Sequence, residues 1–221
     1  MNNLLLEPET KLLNNKQKTT MNKNIFTILL VALVSFSFTS CGESENNIEE
    51  GVVINNVRWA TRNVASFGFF TNNPQDVGQF RQWNRRGGWG DGSILTSWNP
   101  STPTGNAWTR ENDPCPRGWR VPTQAELQSL GLGTWVADWN GTRVSGRVFG
   151  TAPYQIFLPA AGYLRANDGE HEERNLYGYY WSSTASGTNN AVALVFNDLG
   201  RSVTSGNSRS FGFSVRCVAI D

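Results

Sequence analysis

The chain has 221 residues, 38% hydrophobic and 17% charged, with a formal net charge of +1. That length suits one domain with room for a tail. All four lysines (Lys11, Lys16, Lys18, Lys23) precede Cys41, so the part after it carries fifteen arginines against sixteen carboxylates, a net charge of −1. With no basic stripe left, nucleic-acid binding has little electrostatic support.

Ile25 to Phe38 is an apolar run of fourteen residues broken only by Thr27, Ser35 and Ser37. It falls short of the about 20 residues of a spanning helix and fits the apolar core of a signal peptide, with Met21 as start and Lys23 as its positive charge. Residues 1–20 therefore read as an upstream extension and residues 21–40 as the signal. Phe38-Thr39-Ser40-Cys41-Gly42 resembles a bacterial lipobox, with Phe38 where leucine is usual. Cleavage before Cys41 would leave its sulfur to take a diacylglyceryl group, so that lipid rather than a helix holds the protein to the bilayer. The alternative is ordinary secretion with no role for Cys41. Residues 41–50, "CGESENNIEE", cannot bury surface and read as a flexible tether.

The domain is expected over residues 51–221. In "GVVINNVRWATRNV", Asn55-Asn56 separates two β-branched runs, which predicts a hairpin with a two-residue turn. Residues 71–113 show no sustained period but hold Trp83, Trp89, Trp98 and Trp108, which predicts a large ordered loop region pinned by aromatic burial. Thr123 followed by Glu126 is a capping box, Pro122 fixes the approach and Gly131 supplies the stop, so Gln124 to Leu130 should be a short helix. The remainder reads as strands: "QIFLPAAGYL", "YGYYWSS", two runs in "AVALVFNDLGRSVTS" around an Asn-Asp-Leu-Gly turn, and "SFGFSVRCVAI". The alternation of that last segment places Phe211, Phe213, Val215 and Cys217 on one face. One helix followed by strands predicts an α+β fold.

With Cys41 committed to lipid, Cys115 and Cys217 remain. Export favours joining an even pair as a disulfide, which would clasp the start of the helix to the chain terminus. Two buried free thiols are the rival reading.

"DPCPRGWRVPTQAEL", "FLPAAGY", "GYYWSST" and "GFSVRCV", in that order, resemble the Fibrobacter succinogenes major paralogous domain family, with "VRWATRNV" and "QFRQWN" similar to its N-terminal portion. The resemblance covers roughly residues 51–220 and implies an exported, often lipid-anchored envelope protein of no established common activity. More distantly, "WRVPTQAEL" and "GFSVRC" are similar to segments of formylglycine-generating enzymes. That likeness implies a C-type-lectin-like domain, in which a disulfide often ties the helix region to the last strand.

Candidate chemistry is sparse. The reactive cysteine pair of the formylglycine enzymes does not map onto these cysteines, and their Asn-Val-Trp-Glu-Trp segment is absent. His171, the only histidine, sits in a charged stretch that reads as a solvated loop, so no catalytic residue is assigned. Asp168, Glu170, Glu172 and Glu173 could offer oxygens to calcium, but a surface loop explains them better, and neither metal nor cofactor is expected. Tryptophan and tyrosine faces stack on sugar rings, which makes Trp89, Trp98, Tyr179 and Tyr180 the candidate ligand-binding residues. The expectation is thus a lipid-anchored, non-catalytic recognition or adhesion module, whose partner is a polysaccharide or a surface protein. A subunit of a surface assembly such as a fimbria-like appendage is the second reading, and an envelope enzyme the third.

Overall fold

The computed structural model describes residues 49–90 and 98–220. The expected N-terminal extension, the signal peptide and the lipidation site Cys41 lie outside the described residues. Within the expected tether, the Glu49 carboxylate accepts the Thr61 backbone N–H and hydroxyl, each at 2.9 Å, and pairs with Arg62 Nε at 2.9 Å.

The predicted hairpin forms from β1 (Val52–Ile54) and β2 (Val57–Trp59). Asn55 and Asn56 have φ of 49° and 64°, left-handed at both turn positions, which asparagine tolerates better than other chiral residues. The described residues of the loop region carry two two-residue strands, β3 (Gln79–Phe80) and β4 (Trp89–Gly90). Trp83 and Trp108 are buried and meet edge to face at 5.7 Å, and Trp83 Nε1 donates to the Ser182 carbonyl at 2.9 Å.

Strand β5 (Trp119–Arg120) leads into α1 (Gln124–Ser129). Both halves of the capping box are present: the Glu126 N–H donates to Thr123 Oγ1 at 3.3 Å and the Thr123 N–H to Glu126 Oε2 at 2.7 Å. Burial would raise the Glu126 pKa, but bonds from Arg120 and Thr123 outweigh it and hold the carboxyl below its ordinary range.

After α1 come strands, turns and one three-residue 3-10 helix (Trp139–Gly141). Strands β6 (Thr134–Val136), β7 (Gly146–Thr151) and β8 (Tyr154–Pro159) form one antiparallel sheet. A two-stranded ladder joins β9 (Tyr163–Leu164) to β10 (His171–Glu172). The longest strands, β11 (Gly178–Ser186), β12 (Asn190–Phe196) and β13 (Arg201–Ser208), form a meander. Its predicted turn at 197–200 closes through the Asn197 side chain, which accepts the Leu199 and Gly200 N–H groups. Finally β14 (Val218–Ala219) returns to pair with β2 and β5.

Two expectations are corrected. The α+β, C-type-lectin-like class gives way to a mostly β protein, with five small antiparallel sheets and a single six-residue helix among the described residues. One helix burying Leu127 and Leu130 decorates a β body and cannot make a layer of its own. The stretch 210–217 is also not one regular strand. Its carbonyls are shared among three segments: Val215 and Cys217 accept from Val64 and Ala60, Phe213 from Arg81 and Ser214 from Trp181. Phe213, Val215 and Cys217 do share a cluster, but Ser214 and Arg216 on the other side are equally buried. The alternation there marks a thread through the interior and not a half-exposed strand.

The predicted disulfide is present: Cys115 and Cys217 are bonded across 102 positions. No helix among the described residues is long and apolar enough to cross a membrane.

Arginine holds the irregular parts together. Arg81, Arg209 and Arg216 have no exposed surface. Arg216 donates to Asn63 Oδ1 (2.9 Å), the Ala60 carbonyl (3.1 Å) and the Phe157 carbonyl (3.1 Å). Arg209 donates to carbonyls of Pro103, Gly105, Gly187 and Asn190 and lies 4.2 Å over the Trp83 ring. Burial lowers the pKa of Arg81 and of Arg216 to about 10 each, still charged at neutral pH. A planar fork of five donors collects loop carbonyls that no ladder satisfies, which a single ammonium cannot do.

Candidate binding site

An aromatic column runs from the interior to the surface. Trp181 stacks on Phe213 at 4.2 Å, Phe213 meets Tyr179 at 5.0 Å, and Tyr179 meets Tyr163 at 5.0 Å. Tyr177 then stacks beside Tyr179 with centroids 6.0 Å apart and planes 28° from parallel. Tyr177, Tyr179 and Trp181 share a side because strand side chains alternate with period two.

Between them Gly178 is buried, and a Cβ there would lie 2.1 Å from the Phe196 ring. Only glycine lets that ring pass beneath β11 and fix the two tyrosines in line. The Tyr179 hydroxyl donates to Glu173 Oε2 at 2.5 Å. Burial, and then that bond to a carboxylate, push the Tyr179 pKa far above the ordinary tyrosine value, so it stays neutral.

These two rings form one wall of a groove of about 540 Å³ that continues over Val195, Leu199, Ser202, Thr204 and Asn207. Leu199, at the tip of the β12–β13 turn, is 90% exposed. Arg201 also borders the groove, but its guanidinium is committed to the Gly131 and Gln128 carbonyls (2.5 and 2.8 Å) at the end of α1. Asn207 gives its amide hydrogens to Ala191 and Thr204. The groove therefore presents aromatic and aliphatic faces, hydroxyls and an amide oxygen, with no uncommitted charge on its lining. Such a surface matches the apolar faces and hydroxyl edges of a neutral sugar.

The sequence-predicted residues do not converge. Trp89 and Trp98 lie against each other at 4.6 Å and pack on Phe80, Ala161 and Leu164, a cluster separate from the tyrosine column. Both are half-buried, and Trp98 Nε1 donates to the Ala166 carbonyl at 2.9 Å. Tyr180 is a correction: it points to the opposite side of β11, is fully buried, stacks on Phe196 and donates to the Pro159 carbonyl at 2.8 Å. Burial pushes its pKa up to about 12. Of the four, Tyr179 alone borders the groove. Tyr163, Tyr177, Ser202 and Asn207 carry no individual mark in the sequence, although the period of a strand separates Tyr177 and Tyr179 from Tyr180.

Residues considered for other chemistry have structural partners. Arg165 pairs with Asp168, Glu170 and Glu172, while Glu173 is held by Tyr179. His171 meets the Phe80 ring edge to face at 4.9 Å, and its Nε2 donates to the Ala161 carbonyl at 2.7 Å.

Residues 140–218 match a family model described as a domain of unknown function (DUF8237), so this part of the chain is similar to that family. The matched stretch contains the tyrosine column and the whole groove lining. No curated protein and no solved structure matches the chain.

Proposed function

We propose that this protein is a non-catalytic recognition protein of the cell envelope, anchored through a lipid on Cys41, whose tyrosine groove binds a glycan on a polysaccharide or surface protein. The observation that carries the reading is the pair of aligned, half-exposed rings of Tyr177 and Tyr179, locked from behind by Phe213 and Tyr163 and by the Glu173 bond. Rigid aromatic faces bind sugars at little cost in conformational entropy. The export signal, the lipobox-like segment and the resemblance to the Fibrobacter family support the cellular address. Glycan-array binding by the full chain should be lost when both Tyr177 and Tyr179 are replaced by alanine, with circular dichroism unchanged. Binding that survives the double substitution would remove the groove from the account.

A surface-assembly subunit is the second reading, favoured by β13. It lies at the edge of its sheet, is eight residues long and carries no lysine or proline to block pairing with another chain. Crosslinking in the native membrane that traps a stable neighbour through β13 would favour it.

A further inference from the structure

A second cavity, of about 490 Å³, lies between the 75–78 loop, the 142–144 loop and Arg174-Asn175. Val77, Val144 and the buried Ala160 give it apolar surface, while Arg143, Arg174 and Asp76 give it charge. Its walls are built. Trp139 stacks on the buried Phe157 at 4.4 Å with planes 6° apart, and its N–H donates to the Val144 carbonyl at 2.9 Å. The Asp138 carboxylate accepts the Arg143 N–H at 2.6 Å. Opposite, the Asn175 N–H donates to the Ala160 carbonyl at 2.8 Å, and the Ser145 hydroxyl to the Asn175 carbonyl at 2.6 Å.

Among the described residues seven non-glycine residues have positive φ; five are asparagines, and the other two are Arg143 (62°) and Glu173 (57°). Those two costly left-handed residues flank the same cavity, Arg143 on one wall and Glu173 next to Arg174 on the other. Most other arginines spend their guanidinium on carbonyls or carboxylates, whereas that of Arg143 makes no hydrogen bond or ion pair with a described residue. An arginine at a backbone position better suited to asparagine or glycine points to a use for its side chain.

We infer that this cavity is a subsite for an acidic sugar, a hexuronate unit whose carboxylate is taken by Arg143 while its hydroxyls donate to Asp76. A bare anion would meet Asp76 with like charge, and a neutral sugar would leave the Arg143 fork unmatched; a ring bearing both groups satisfies each. The inference deepens the recognition reading and rests on it for the ligand being a glycan, but it uses different residues. Chain continuity links the two sites, since Asn175 borders the cavity and Tyr177 the groove.

The test titrates the full chain with glucuronate, glucose, acetate and a short peptide bearing a free C-terminus, followed by nuclear magnetic resonance. Glucuronate should bind in preference to the other three, and Arg143→Asn should weaken it about ten- to a hundredfold, the loss of one charge-assisted contact. Asparagine suits the left-handed backbone, so the variant should melt no lower than the parent. Glucuronate binding that persists in Arg143→Asn overturns the inference, as does equal binding of acetate or preference for the peptide. Replacing Tyr177 and Tyr179 should leave glucuronate binding intact, so a failure of the groove and a failure of the cavity give different results.

Discussion

Arg216 shows at single-residue scale how this protein tolerates so much irregular backbone. It is fully buried, and the partners of its side chain are two carbonyls and one amide oxygen. Two acceptors come from the 60–63 segment and the third from Phe157 in β8, so the guanidinium ties two distant segments where no hydrogen-bond ladder joins them. Lysine would keep the charge but lose the fork. Arg216→Lys should therefore cost at least about 2 kcal/mol, because two or more buried acceptors lose their donor; chemical denaturation would measure it. An unchanged midpoint would mean that the network is dispensable. The absence of lysine after Cys41 is plain in the sequence, yet nothing local tells which arginines are interior. Their partners lie 59 to 156 positions away in the case of Arg216.

Elements governed by local chemistry were legible, and elements governed by distant partners were not. The Asn55-Asn56 turn, the Thr123–Glu126 capping box and the 197–200 turn each follow from side chains within a few positions. Strands β6 and β7 carry no comparable local mark and exist because β7 pairs with β8 and β6 in turn with β7. The segment before β14 alternates like a surface strand yet is buried on both sides, since neighbours from three regions close over it. The disulfide joins that thread to the segment before α1. Reducing it should cost up to about 4–5 kcal/mol in the chain-entropy model for a loop of roughly 100 residues, seen as a lower denaturation midpoint. Alanine at both cysteines should reproduce the loss. No shift on reduction would show that the arginine network alone holds the thread.

At the scale of the whole molecule, the aromatic residues divide between two duties. Trp59, Trp83 and Trp181 are fully buried and build the core, whereas Tyr177 and Tyr179 extend that packing outward to a groove. Composition alone cannot separate the two duties, because burial depends on which side of a strand a ring occupies. Binding of a neutral glycan at that groove is the central claim, and the chain's five tyrosines allow a direct test. The full chain, isotope-labelled on tyrosine, would be titrated with a panel of neutral gluco-, manno- and galacto-oligosaccharides. The account predicts that at least one sugar shifts Tyr177 and Tyr179 strongly while the exposed Tyr154 stays silent. Resonances unmoved by every sugar, or Tyr154 shifting as much as the groove pair, would contradict it.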